Sequence, residues 1–268
     1  MSGLEDRSFL VTGAASGIGA RLCERLAAAG GKVVGADVAA MTPETCAAAK
    51  AAGLVVPVSL DVRDPDRWRA VIAQASDQFG GIDVLFNVAG ILAPGYVAEL
   101  ELSDVDRHFD VNTKGVIYGT RLAAEHMLER GGGHVVNIAS LASLAPVPGL
   151  SLYSASKFAV RAFSLAADME LRPRGVAVTV VCPDAVATPM LDLQRDHEAA
   201  ALTFSGPRAL SVDEVCDALL GRVLTARPME LALPFGRATM ARLAGLFPAL
   251  GAKTEPILRR AGRKKQRH

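Results

Sequence analysis

The sequence predicts a single α/β domain, doubly wound, in which about seven mostly parallel strands form a sheet with helices on both faces. Two observations lead to this prediction. Short apolar runs rich in Val alternate with longer amphipathic segments along most of the 268 residues, which is typical of repeated strand–helix–strand units. A glycine-rich turn also joins the first of these strands to the first helix, and a second strand parallel to the first then requires a right-handed crossover.

The predicted elements follow in chain order. Strands are expected at residues 8–12, 32–37, 54–60, 83–87, 134–140, 176–182 and 230–233. Helices are expected at residues 20–29, 41–52, 64–79, 103–130, 151–174 and 211–225. The strand at 176–182 (VAVTVVC) is continuously apolar, as a strand covered on both faces should be. Residues 1–234 are expected to form this domain, and residues 235–268 a helical and basic C-terminal extension.

Composition narrows the class of protein. Half of the residues are hydrophobic and the formal net charge is +1, which favours a large core and argues against a nucleic-acid partner. The four cysteines lie far apart without a CxxC pair, so neither a metal site nor a disulfide framework is expected. A signal peptide and a membrane-spanning run are also not apparent, and we expect a cytoplasmic location.

The glycine turn predicts a nucleotide site. Gly13, Gly17 and Gly19 stand between a strand and a helix, where the backbone can approach a pyrophosphate and direct helix N-terminal amides at it. Asp37 ends the second strand about twenty residues later. A carboxylate there can accept both ribose hydroxyls of adenosine and would repel a 2′-phosphate, so NAD is expected rather than NADP. Alternatively, Asp37 caps a turn.

Tyr153 and Lys157 are four residues apart in a predicted helix, so both side chains lie on one face. An ammonium beside a phenol favours the phenolate, which suits the phenol to proton transfer near neutral pH. Taken alone, such a pair is more often an ordinary feature of a helix surface.

The chain resembles the short-chain dehydrogenase/reductase family over residues 8–190. The resemblance is in the order and spacing of TGAASGIG (12–19), NVAG (87–90), Asn112, Ser140 and Tyr153-x3-Lys157. It implies a single Rossmann-type domain and an oxidoreductase that interconverts a secondary alcohol and a ketone with NAD(H).

The resemblance also implies a catalytic role for four residues. Tyr153 would exchange a proton with the substrate oxygen, and Ser140 would hydrogen-bond that oxygen. Lys157 would lower the pKa of Tyr153 and hold the nicotinamide ribose, and Asn112 would fix a water molecule in a proton relay.

The implied cofactor contacts extend along the sheet edge. Asp61 and Val62 would meet the adenine, and Val186 and Thr188 would bind the nicotinamide carboxamide. The remaining implied cofactor-binding residues are Gly13, Ser16, Gly17, Ile18, Gly19, Asp37, Asn87, Ala89, Gly90, Tyr153 and Lys157.

Two positions depart from the family pattern. Val88 stands where a second Asn is common, and we expect a modest effect. Asp184 follows Pro183 where the family usually has Gly. Because glycine reaches backbone conformations that Asp adopts less readily, Asp184 is expected to reshape the floor of the nicotinamide pocket or to contact the substrate.

The residues expected around the substrate are mostly apolar, and residues 191–205 could close over them as a lid. This composition favours a hydrophobic alcohol or ketone over a sugar. The candidate pocket residues are Leu92, Leu141, Ala142, Leu150 and Asp184.

The basic run at residues 259–268 (RRAGRKKQRH) is expected to be a solvated, poorly ordered end. Weak contact with a membrane surface is the alternative, because an amphipathic stretch precedes the run. The helices at 103–130 and 151–174 are candidates for the interface of a homodimer or homotetramer. Alternative functions are a 3-oxoacyl thioester reductase and a catalytically silent, nucleotide-sensing binding protein.

Overall fold

A computed structural model describes residues 4–42, 47, 50 and 53–266 of the chain. Within these residues, seven parallel strands form one sheet in the order β3-β2-β1-β4-β5-β6-β7. The predicted fold class is confirmed, and every strand pair is parallel. The strands are β1 (Ser8–Thr12), β2 (Lys32–Asp37), β3 (Val55–Ser59), β4 (Val84–Asn87), β5 (Gly133–Ile138), β6 (Val176–Pro183) and β7 (Glu230–Leu233).

The strand order reverses between β1 and β4. Successive connections from β1 and from β4 leave in opposite directions along the sheet, which opens a crevice at the carboxyl ends of the strands. β1 lies between β2 and β4, with Leu10 opposite both Val34 and Leu85. The crevice therefore begins where β1 leads into the glycine turn.

Helices cover the sheet between the strands. The predicted helix at 41–52 falls largely outside the described residues. The described α-helices are α1 (Gly17–Ala28), α2 (Pro65–Phe79), α3 (Leu102–His108), α4 (Gly115–Glu129), α5 (Ser151–Leu171), α6 (Pro189–Asp192), α7 (Val212–Ala218), α8 (Leu224–Ala226), α9 (Phe235–Leu246) and α10 (Pro248–Gln266).

Local signals account for the ends of several helices. The side chain of Asp64 accepts hydrogen bonds from the amides of Asp66 and Arg67, and Pro65 occupies the first turn of α2, a favourable arrangement at a helix N-terminus. Gly80 ends α2 in the left-handed conformation, a common way for a helix to stop.

Apolar side chains fill both faces of the sheet. Alternate residues of β1 belong to different cores: Phe9 and Val11 pack on one face with Leu22 of α1, and Leu10 packs on the other with Trp68 of α2. This alternation follows from the two-residue period of a strand. Both faces of the sheet are thus packed against helices in the described residues, and the large crevice lies at its carboxyl edge.

Two predicted helices contain π-helical segments. Phe109–Lys114 separates α3 from α4, and Leu219–Val223 separates α7 from α8. A π segment adds one residue to a helical turn and is frequent at functional sites. The first of them contains Asn112.

The expectation of a poorly ordered basic end is wrong for the described part of the chain. Its basic side chains are mostly solvated, as expected, since Arg260, Arg263, Lys264 and Lys265 are exposed. Residues 248–266 form the helix α10, and Gly262 and Gln266 are buried. The Gln266 side chain donates hydrogen bonds to the backbone oxygens of Gln194 and His197, each at 2.8 Å. Contacts to residues about 70 positions earlier, rather than local propensity, therefore hold this helix in place.

None of the described helices is both long enough and apolar enough to cross a bilayer.

Candidate active site

The glycine turn joins β1 to α1 at the crevice. Gly13 and Gly17 have φ values of +69° and +53°, which favour glycine. A Cβ atom at Gly19 would lie 2.0 Å from the Gly13 carbonyl oxygen, so no other residue fits there. The turn consequently presents bare backbone and the N-terminus of α1 to the crevice, a suitable site for an anionic group.

The Asp37 carboxylate lies beside this turn at the end of β2. Its two oxygens accept hydrogen bonds from the amides of Ala15 and Ala39, at 2.9 and 3.0 Å. These bonds fix the carboxylate next to the glycine turn, and each oxygen keeps further acceptor capacity. Asp37 therefore both caps a turn and presents a negative charge to the crevice.

Asp61 and Val62 line the same crevice after β3. Asp61 forms an ion pair with Arg63, with 2.7 Å between the nearest oxygen and nitrogen. Hydrogen bonding to the Arg63 guanidinium holds the pKa of Asp61 below its usual value. A fixed charge pair thus borders the crevice at its β3 end.

Tyr153 and Lys157 lie one turn apart on α5, as predicted, with the ammonium nitrogen 5.6 Å from the centre of the phenol ring. Only 4% of Lys157 is exposed, and its Nζ donates a hydrogen bond of 2.9 Å to the backbone oxygen of Ile138. Burial lowers the pKa of Lys157 to about 8, because a low-dielectric surrounding disfavours the charged form.

The pKa of Tyr153 differs from the expectation. Burial raises it to about 12, and a hydrogen bond with the Ser140 side chain opposes this rise. The direction of the shift is opposite to the expected lowering, because desolvation of the phenolate is the largest effect on this pKa. At neutral pH Tyr153 is a protonated phenol.

Ser140 follows β5 at the edge of the crevice. Its Oγ accepts a hydrogen bond of 3.1 Å from the amide of Ala142. That bond occupies a lone pair and not the hydroxyl hydrogen, so Ser140 can direct this hydrogen to the Tyr153 oxygen or to a substrate oxygen.

Asn112 is fully buried in the π segment. Its side-chain amide exchanges two hydrogen bonds with the backbone of Ile91 and donates a third, of 3.0 Å, to the Ser156 hydroxyl. A Cβ atom at Gly90 would lie 3.3 Å from the Asn112 oxygen and 3.5 Å from the Lys157 nitrogen. Asn112 thus ties the loop after β4 to α5, next to Lys157.

A cavity of about 1090 Å³ connects these groups along the carboxyl edge of the sheet. Most of the predicted site residues line it. They are Gly13, Ser16, Gly17, Ile18, Asp37, Asp61, Val62, Ala89, Gly90, Leu92, Ser140, Leu141, Ala142, Leu150, Tyr153, Lys157, Asp184, Val186 and Thr188.

Three predicted residues lie behind the cavity wall: Gly19, Asn87 and Asn112. Asn87 is 2% exposed, and its side chain donates a hydrogen bond of 2.9 Å to Asn137 on the neighbouring strand. The Asn87 side chain therefore does not face the cavity. It belongs to a buried polar cluster that also includes Thr120 and Ser164.

Asp184, which stands where the family usually has Gly, lines the cavity. It does not have a positive φ, so Asp introduces no backbone strain there. Its carboxylate pairs with Arg237 of α9, with 2.7 Å between Oδ2 and Nε, and Arg237 also reaches the Ser205 hydroxyl at 3.4 Å. Asp184 therefore connects the end of β6 to α9 and to residues 198–205.

Val186 and Thr188 lie between Asp184 and α6. The Thr188 hydroxyl donates to the backbone oxygen of Val186 at 3.2 Å. The Thr188 methyl would be 3.2 Å from a Cβ atom at Gly17. This segment therefore faces the glycine turn across the cavity.

The last two helices, α9 and α10, contribute to the cavity, which was not predicted from the sequence. Ten of their residues line its far end: Arg237, Met240, Ala241, Ala244, Pro248, Gly251, Ala252, Thr254, Glu255 and Leu258. The mixture of apolar residues and isolated Arg in residues 235–258 was the available signal. Residues of the predicted lid line the cavity too, among them Gln194, Leu202 and Thr203.

The fold and the cavity define a class of protein: a dinucleotide-type fold whose cavity contains both a glycine turn and the pair of Tyr153 and Lys157. The family model described as short chain dehydrogenase matches residues 7–199. The chain belongs to the short-chain dehydrogenase family, and it is an oxidoreductase.

Similar proteins extend this result. The 3-alpha-(or 20-beta)-hydroxysteroid dehydrogenase of Mycobacterium tuberculosis is 39% identical over 193 residues, which cover 72% of this chain and 74% of the relative. The 2-(R)-hydroxypropyl-CoM dehydrogenase of Xanthobacter autotrophicus is 38% identical over 197 residues, 71% and 79% of the two chains. The crystal structure of a Burkholderia phymatum short chain dehydrogenase/reductase in complex with NAD has a TM-score of 0.82 and 29% identity, covering 94% of this chain and 97% of that chain.

Proposed function

We propose that this protein uses NAD(H) to interconvert a secondary alcohol and a ketone on a hydrophobic substrate, with Tyr153 as the general acid and base. It acts on CH–OH groups, and its cofactor is NAD. The observation that carries the proposal is one continuous cavity that holds both the glycine turn with Asp37 and the cluster of Ser140, Tyr153 and Lys157.

The residues fit a dinucleotide. Gly13, Gly17 and Gly19 form a backbone cradle. Gly13 and Gly17 have positive φ values, and a Cβ atom at Gly19 would clash with the turn itself. The Asp37 carboxylate, already held by two amides, suits two ribose hydroxyls and disfavours a 2′-phosphate. When bound, NAD(H) supplies or accepts the hydride.

The chain supplies the proton and orients the substrate oxygen. In the reductive direction the Tyr153 phenol, protonated at neutral pH because burial raises its pKa to about 12, gives its proton to the carbonyl oxygen. The Ser140 hydroxyl donates a second hydrogen bond to that oxygen, since its own lone pair is satisfied by Ala142. In the oxidative direction Tyr153 must first lose its proton.

Lys157 acts beside this pair. One of its three N–H groups is used by the Ile138 oxygen, and two remain for a ribose hydroxyl and a proton relay. With its pKa lowered to about 8, Lys157 keeps its charge at neutral pH while being close to releasing a proton. Asn112 would position the water molecule of that relay from the π segment.

The substrate end of the cavity supports a hydrophobic alcohol or ketone. Apolar residues from three separate loops and helices meet there, among them Leu92, Leu141, Leu150, Met240 and Leu258. Burying an apolar substrate against such walls contributes about 25 cal/mol per Å², whereas the hydroxyls of a polyol would lose hydrogen bonds to water.

We also propose a homodimer or homotetramer formed through α4 and α5. On α5, Phe158, Ala162, Ala166 and Met169 are exposed at helical spacing, which forms a stripe that another copy could cover. Multi-angle light scattering tests the assembly: we expect a mass of at least two chains for the native protein and one chain for Ala162→Arg.

A turnover screen tests the proposed reaction. Each of NAD and NADP is combined with hydroxysteroids, long-chain secondary alcohols, acyl thioesters and polyols, and NADH formation or consumption is recorded. We expect turnover with NAD and lipophilic alcohols or ketones. Preference for polyols would refute the hydrophobic substrate, and preference for 3-oxoacyl thioesters would establish the thioester alternative.

A further inference from the structure

The inner face of α10 packs against residues 198–205, which border the cavity. Gly262 is buried, and a Cβ atom there would lie 1.9 Å from the Ala201 oxygen. Arg259 donates a hydrogen bond of 3.0 Å to the Tyr96 hydroxyl and another of 3.3 Å to the backbone oxygen of Pro148. These contacts fix the orientation of the helix, and so they also fix which face is turned outward.

The outer face of α10 combines basic and apolar side chains. Leu250, Lys253, Ile257, Arg260 and Lys264 recur at intervals of three or four residues and are all exposed, with Ile257 at 73%. The three basic residues form no ion pair or hydrogen bond with the described residues. A helix with one packed face and one face of this composition is typical of interfacial helices.

The apolar part of this face continues onto α9. Leu243, Leu246 and Phe247 are at least half exposed, with Leu246 at 70%, and they adjoin Leu250 at the turn between the helices. Met240 and Pro248, which are exposed at the same corner, also line the cavity. The cavity therefore opens beside an exposed apolar corner.

The charge of the chain is divided unevenly. Residues 235–268 hold nine of the 29 Lys and Arg and one of the 28 Asp and Glu, a formal charge of +8. Residues 1–234 hold the other 20 basic and 27 acidic residues, a charge of −7. A second copy that met this corner with its own matching corner would bring like charges together, which is unfavourable, whereas an anionic surface complements it.

We propose that this surface, which we call the docking face, binds an anionic lipid bilayer and turns the mouth of the cavity toward the lipid. The docking face consists of Leu243, Leu246, Phe247, Leu250, Lys253, Ile257, Arg260 and Lys264. The apolar side chains enter the headgroup region, and the three free basic side chains contact lipid phosphates. The proposal does not depend on which substrate the cavity binds.

Co-sedimentation of the full chain with vesicles tests this proposal. Vesicles of phosphatidylcholine alone are compared with vesicles containing 30% phosphatidylglycerol, at low and high salt. The apolar variant combines Leu246→Glu with Leu250→Glu. The charge-reversal variant combines Lys253→Glu, Arg260→Glu and Lys264→Glu. None of these five residues lines the cavity. Leu102→Glu is the matched control, since Leu102 is 83% exposed on α3.

We expect at least tenfold tighter partitioning of the native chain onto the anionic vesicles, reduced by salt. Each set of substitutions should weaken it at least tenfold, and Leu102→Glu should not change it. If the apolar variant does not fold, the charge reversals, confined to exposed side chains, still decide the question. The proposal would be overturned by equal partitioning onto both vesicle types or by variants that bind as the native chain does. It would also be overturned if the apolar substitutions lowered only the mass of the oligomer.

Discussion

Substitution of Lys157 should separate stability from activity. Its pKa is lowered from 10.5 to about 8 by burial, which corresponds to about 3 kcal/mol for keeping the ammonium charged at pH 7. Lys157→Met removes that cost and keeps an unbranched chain of similar length, but it loses the hydrogen bond to the Ile138 oxygen, worth about 1 kcal/mol. We expect the free energy of unfolding to rise by about 2 kcal/mol while turnover is lost.

The assay is urea unfolding at several pH values. Between about pH 8 and 10.5 the unfolded chain keeps a proton at Lys157 that the folded chain lacks, so the stability of the native protein should rise with pH. The variant should not show that rise. Lys114→Met, at an exposed lysine paired with Asp110, is the control and should not be stabilised. A variant less stable than the native protein at pH 7, or with the same rise between pH 8 and 10, would refute this reasoning.

Three further predictions concern the site. Gly19→Ala places a methyl against the turn's own carbonyl and should weaken NADH binding at least tenfold in a fluorescence titration, whereas Gly221→Ala, in open space, should not. Asp184→Asn weakens the contact with Arg237 and should raise KM for the alcohol but not for NAD; an effect on kcat alone would contradict this. Because the Tyr153 pKa is raised to about 12, kcat for alcohol oxidation should rise with pH from 6 to 9, and a flat profile would contradict it.

Strands with simple boundaries were predictable to the residue. β1 ends where Gly13 begins a tight turn, and β2 ends at Asp37, so the apolar runs and their limits coincide with the strands observed. A strand that is covered on both faces must be apolar along its whole length. The ends of the apolar run therefore indicate the ends of the strand. The glycine turn and the pair of Tyr153 and Lys157 were also predicted from the sequence, and both line the same cavity.

The π segments were not predictable. Residues 103–130 read as one continuous helix, yet Phe109–Lys114 inserts an extra residue into a turn. Such an insertion depends on tertiary partners rather than on local propensity, and here Asn112 in that segment bonds to Ile91 and Ser156. The pKa of Tyr153 was missed for a related reason, because burial is a property of the folded site.

The last two helices show the same limit. Their contacts reach far back along the chain: Arg259 to Tyr96, Arg237 to Asp184, and Gln266 to the backbone at residues 194 and 197. A basic run resembles a solvated tail until such partners are known. The composition did indicate an amphipathic segment, but not that one of its faces encloses the cavity.

The central claim is that Tyr153 transfers the proton. The most direct measurement is the single-turnover rate of NADH oxidation by Tyr153→Phe with a ketone found in the turnover screen, at a ketone concentration that saturates both proteins. The phenyl ring keeps the packing of α5 and lacks the proton, and loss of general acid catalysis costs about 10²–10⁴-fold. We predict a loss of at least a hundredfold with unchanged NADH binding. A Tyr153→Phe rate equal to that of the native protein would contradict the proposed mechanism.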